Sequence, residues 1–95
     1  MVLTVIARAR IQSGRESEMS AALLANAAAS RGDAGCLSYS VIQGAEDPLL
    51  FGTVERWASK EAFDAHMATP HVQQLFAAIT PLLASTPEIV AFAEL

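Results

Sequence analysis

Both histidines and the only tryptophan of the chain fall within one stretch, VERWASKEAFDAHMATPH at residues 54–71, which also carries Glu55. These residue types move protons and stack on flat ligands. If residues 49–57 form a strand, alternation puts Phe51, Thr53, Glu55 and Trp57 on one face. A carboxylate flanked by two aromatic rings loses hydration, which disfavours its charged form and moves it toward the range of a general base. The competing reading pairs Glu55 across the sheet with an arginine, Arg8 or Arg10. Trp57 offers either a stacking platform for a flat ligand or ordinary core packing.

His66 and His71 are separated by a segment containing Pro70. Zinc-binding histidines on one helix usually stand four positions apart, as in H-E-x-x-H, and no carboxylate occupies a familiar third spacing here. The sequence therefore assigns no metal site. As acid–base groups the two are better placed. His66 shares a short helical segment with Phe63 and Met67, and His71 falls in the first turn of the next one. A helix N-terminus disfavours protonation of a nearby imidazole, which suits a base or a hydrogen-bonding group. His71 could equally bond the open backbone groups where the two helices meet. Tyr39, on the neighbouring strand, either supplies a phenol to the same cavity or packs. No G-x-S-x-G elbow, phosphate-cradling glycine loop or nicotinamide fingerprint occurs, so nucleophilic hydrolysis and dinucleotide chemistry are unsupported.

The elements that must position these groups are readable from periodicity. VLTVIARARI (2–11) alternates, with Leu3, Val5, Ala7, Ala9 and Ile11 on one face. Residues 15–31 are Ala-rich with a Met19–Leu23–Ala27 stripe, and Glu16 and Glu18 sit where a helix dipole favours negative charge. RGDAG ends that helix. CLSYSVIQ (36–43) reads as a second strand with Leu37, Tyr39 and Val41 on one face, and LLFGTVERW (49–57) as a third. The short GAEDP connection makes them an antiparallel hairpin. Ser59 caps a short helix through Met67, and Thr69-Pro70 opens another whose apolar stripe runs from Val72 to Leu83, with Pro81 bending or ending it. PEIVAFAEL closes the chain as a fourth strand. The order β-α-β-β-α-β predicts an α+β, ferredoxin-like domain spanning residues 1–95, with helices on one face of a four-stranded antiparallel sheet.

Bulk properties narrow the partners. The 95 residues are 53% apolar and 17% charged, against roughly 45–50% and about 25% in ordinary soluble domains. So small a domain with surplus apolar residues needs its other sheet face covered, most simply by a second copy. A net charge of −4 without a basic cluster argues against nucleic acid. The lone Cys36 excludes an internal disulfide and fits a reducing cytoplasm. No long apolar run suggests export or membrane insertion.

The opening strand, GCLSY at 35–39, ERWASKEAFDAH at 55–66, TPH at 69–71 and the final strand together resemble the antibiotic biosynthesis monooxygenase family. The resemblance implies a homodimeric α/β barrel built from ferredoxin-like protomers, with a pocket between sheet and helices. It further implies oxygenation of a flat phenol, anthrone or quinol by molecular oxygen, without metal or flavin. On that reading Glu55, His66 and His71 are the catalytic candidates. Trp57, Phe51 and Tyr39 contact substrate, with Arg8 or Arg10 near an anion. The haem-degrading relatives carry an asparagine on the first strand and a ligating histidine on the last helix. Here those positions read Ala7 and Phe76. The TPH segment also resembles the isomerases that degrade autoinducer-2, which act by proton transfer but usually lack a tryptophan at position 57. A non-catalytic, ligand-binding dimer is the third alternative.

Overall fold

A computed structural model describes all 95 residues. Strand β1 (Leu3–Arg10) leads to helix α1 (Glu16–Ser30), then to the hairpin of β2 (Cys36–Gln43) and β3 (Leu50–Trp57). Helices α2 (Lys60–Met67) and α3 (Pro70–Ile79), a 3-10 turn at Thr80–Leu82 and strand β4 (Glu88–Ala93) complete the chain. The sheet order is β2-β3-β1-β4 and every pairing is antiparallel. The predicted ferredoxin-like plan is the observed one. No helix is long and apolar enough to cross a membrane.

The register sets which residues meet. Val5 lies opposite Glu55, and Tyr39 opposite Glu55 on its other side, so one sheet face carries Val5, Tyr39, Glu55 and Trp57 together. This face is covered by helices. One core cluster joins Val5, Ala27, Tyr39 and Trp57, and a second joins Ile11, Met19, Leu23, Phe51, Ile79 and Leu82. The opposite face is bare, with Ile6, Ile42, Val90 and Phe92 all exposed. Leu37 departs from expectation. A register shift between Cys36 and Ser38 turns it out of the row that holds Tyr39 and Val41, and it is exposed.

The caps form as their residue types dictate. The Ser59 hydroxyl accepts from the Ala62 N–H, and the Thr69 hydroxyl accepts from the Val72 N–H with Pro70 at the first helical position. Pro81 lacks a donor for another α-helical turn, so α3 tightens into the 3-10 turn there.

Candidate active site

Strand β3 supplies the acid. Thr53, Glu55 and Trp57 point to the same side, as alternation requires, and all three are buried. The Thr53 hydroxyl donates to Glu55 Oε2 at 2.8 Å and the Trp57 indole N–H to Oε1 at 2.9 Å. Glu55 is therefore held by its own strand neighbours. The expected cross-sheet arginine pair does not form, because both arginines lie on the other face. Arg8 binds Glu88 and Arg10 binds Asp47 instead.

Helix α2 supplies the imidazole. The His66 side chain is only 2% exposed and packs on Trp57 with ring centroids 4.3 Å apart. Its Nε2 lies 3.8 Å from Glu55 Oε1, beyond direct hydrogen-bond range. Its Nδ1 lies 2.8 Å from Asp33 Oδ2, and His71 Nε2 lies 2.9 Å from the same oxygen. His71 thus bonds a carboxylate rather than the backbone at the helix junction. The Thr69 hydroxyl donates to the His66 carbonyl, which ties the end of α2 to the start of α3 and fixes the spacing of the two rings.

Asp33 is the residue that sequence reasoning missed. It sits in the turn after α1, where its N–H donates to the Ser30 carbonyl and its own carbonyl accepts from Cys36. Burial pushes its carboxyl up, but the hydrogen bonds from His66 and His71 outweigh that and hold it below the usual aspartate range. RGDAG reads from sequence as a helix stop, and only the folded turn carries its carboxylate to both imidazoles. Spacing along the chain offered no third ligand, but the fold brings a carboxylate to the two imidazoles. Asp33, His66 and His71 bring three donor atoms within 4.8 Å of one another.

Above this array lies a mostly apolar cavity of about 70 Å³ between the sheet and the helices. Glu55, His66, Tyr39 and Phe51 line it, as does Asn26 from α1. Tyr39 accepts a hydrogen bond from Asn26 Nδ2 at 3.0 Å, while Asn26 Oδ1 is buried without a partner. Burial, reinforced by the charge of Glu55, pushes the Tyr39 phenol well above its ordinary range, so it remains a protonated hydroxyl. Trp57 and His71 do not line the cavity. Trp57 touches the lining residues Glu55 and His66, and His71 bonds Asp33 behind them. Arg8 borders it, and Arg10 does not. Phe76, Pro87 and Ile89 line both the cavity and an adjoining surface groove, so the space leads outward past them.

Ala7 and Phe76 are both apolar, so neither side chain offers a haem ligand. The family model for antibiotic biosynthesis monooxygenases matches residues 2–78. The chain belongs to that family. Among solved structures, this antibiotic biosynthesis monooxygenase family member is similar to PA3566 from Pseudomonas aeruginosa, at 31% identity and a TM-score of 0.90, covering 99% of this chain and 94% of that one. Rv0793 from Mycobacterium tuberculosis is 28% identical with a TM-score of 0.93, covering 100% and 96%. A third structure, described as an antibiotic biosynthesis monooxygenase, is 25% identical with a TM-score of 0.92, covering 98% of each chain. No curated protein matches the sequence.

Proposed function

We propose that this family member is a monooxygenase that oxidises a flat phenol, anthrone or quinol with molecular oxygen. The observation that carries the reading is a buried acid–base array, Glu55–His66–Asp33, at the wall of an apolar cavity. In such a cavity a phenol loses solvation of its hydroxyl, and a fixed base beside it takes the proton. The resulting electron-rich ring reduces oxygen. One oxygen atom enters the substrate as a carbonyl, the other leaves as water, and the substrate supplies all the electrons.

Roles follow from geometry. With the Nδ1 proton of a neutral His66 donated to Asp33, the ring nitrogen beside Glu55 is the one left to accept. Asp33 positions the ring, and His71 fixes Asp33. Trp57 and Thr53 hold Glu55, and Tyr39 offers a hydroxyl to the developing oxyanion. A cavity of about 70 Å³ is smaller than the ~150 Å³ that encloses a benzene. Substrate therefore enters by one ring edge, with the rest lying toward Phe76, Pro87 and Ile89. The lining includes one cation, Arg8, already paired with Glu88, which disfavours a phosphorylated isomerase substrate. The proposal includes a homodimer formed through the bare sheet face.

Oxygen uptake over a panel of quinols and anthrones tests this directly. Wild-type protein should consume oxygen above a no-protein control, and Glu55→Gln and His66→Gln should each lower the rate about 10²–10⁴-fold. A panel with no uptake above control would remove the proposal.

A further inference from the structure

His66 lies between two acidic side chains. Two carboxylates flank this one buried ring, Asp33 at Nδ1 and Glu55 toward Nε2. Glu55 receives hydrogen bonds from a hydroxyl and an indole, and Asp33 from two imidazoles; no lysine or arginine joins either. A neutral imidazole has one N–H. Given to Asp33, it leaves a bare Nε2 facing a glutamate oxygen. Given to Glu55, it leaves a bare Nδ1 at 2.8 Å from an aspartate oxygen. Either way two lone pairs oppose each other in a region with little water, and positive charge at the ring relieves this, whether as a second ring proton or as a bound cation.

From this we infer that Asp33, His66 and His71 form a binding site for a borderline divalent transition-metal ion of the zinc and cobalt type. Nitrogen donors select such ions over magnesium or calcium. Asp33 Oδ2 already stands 2.8 Å from His66 Nδ1 and 2.9 Å from His71 Nε2, and all three donor atoms lie within 4.8 Å. Bonds of about 2.0–2.2 Å to one ion place such donors roughly 3.0–3.4 Å apart. Ligation needs the two hydrogen-bonded pairs to open by a few tenths of an ångström and the two imidazole nitrogens, which stand no more than 4.8 Å apart, to settle at the same spacing. Metal on Nδ1 moves the ring proton to Nε2, where it points at Glu55, so in the metal-bound form Glu55 rather than His66 is the group left to accept a proton. A ligating histidine whose other nitrogen faces a carboxylate is the usual outer arrangement of metal sites. The site is also reachable, because the His71 and Asp33 side chains are 24% and 17% exposed while His66 is 2%. Sequence spacing concealed it because the carboxylate comes from the other side of the fold.

The test is a titration of the purified full chain with zinc against a chromophoric chelator, with the cobalt visible spectrum as a second readout. One ion per chain should bind. Asp33→Asn keeps the shape of its side chain, and His71→Gln lies at the more exposed edge, so both should fold, as circular dichroism will verify. Each should weaken zinc binding by more than the ~10–100-fold that loss of an outer partner costs. The cobalt bands should vanish in both, and magnesium should not compete. Absence of stoichiometric zinc binding would overturn the inference, and so would binding that both variants leave unchanged. The readout is affinity rather than turnover, so its failure leaves the oxygenase reading standing, and the reverse holds equally.

Discussion

At the scale of single residues, the site consists of groups that hold each other in one protonation state. Tyr39 shows this most clearly. Its phenol is pushed up by burial and by the nearby Glu55 charge, while an unfolded tyrosine titrates at about 10. Above that pH the unfolded chain has released a proton that the folded chain keeps. Stability from this group is therefore complete below about pH 10 and falls as pH rises beyond it. The chain has one tyrosine, so an absorbance titration reads this group alone. Urea unfolding at neutral and alkaline pH should show the decline in wild type and less of it in Tyr39→Phe. That variant should also cost about 1–2 kcal/mol at neutral pH, because buried Asn26 loses its hydrogen-bond acceptor. A phenol titrating at its ordinary value would contradict the account. Asn26 itself was legible in principle. It falls in helical phase with buried Met19, Leu23, Ala27 and Ser30, and a polar residue in a buried stripe signals a cavity or a partner. Asp33 carried no such signal, because a turn has no periodicity from which a side chain's direction can be read.

At the scale of elements, the site depends on how closely α2 approaches the start of β2. Gly35 has φ of +81°, and a Cβ there would lie 2.5 Å from the Ala62 Cβ on α2. Gly14 has φ of +88° but open space around it. The two glycines separate backbone strain from a packing clash. Gly14→Ala should cost about 1 kcal/mol and leave the site intact. Gly35→Ala should cost more, about 2–3 kcal/mol including strain, and should shift α2 and with it His66. The fluorescence of Trp57, the only tryptophan, should change in the second variant and not in the first, since His66 stacks on its ring. Equal fluorescence and stability in both would show that the approach at Gly35 does not position α2. The elements themselves were largely legible: strand alternation, Ser59 and Thr69-Pro70 are local signals, and the observed caps use those same residues. The irregularity between Cys36 and Ser38 was not, because a bulge is set by what the strand pairs with rather than by its own sequence.

At the scale of the whole molecule, the helices cover one face of the sheet and leave the other unpartnered. Ile6 pairs across the sheet with Val54 and Val90, and Thr4 with Phe92, so these side chains form one continuous surface. Ile42, opposite Gly52, extends it toward β2. Ile6, Ile42, Val90 and Phe92 are between 40% and 49% exposed, an apolar cluster that a monomer would present to water. Around it lie the Arg8–Glu88 and Arg56–Glu94 pairs, a charged rim of the kind that surrounds apolar interface centres. A second copy placed by two-fold symmetry matches apolar centre to apolar centre with no new chemistry required. Sedimentation at micromolar concentration should therefore give a dimer. Val90→Asp should dissociate it, because the substitution puts an unpaired charge from each copy into a desolvated face. Loss of the dimer should lower stability and make the melting temperature concentration-independent, where the wild type's rises with concentration. A wild-type protein that sediments as a folded monomer would refute this, and the exposed face would then need a different partner to explain its composition.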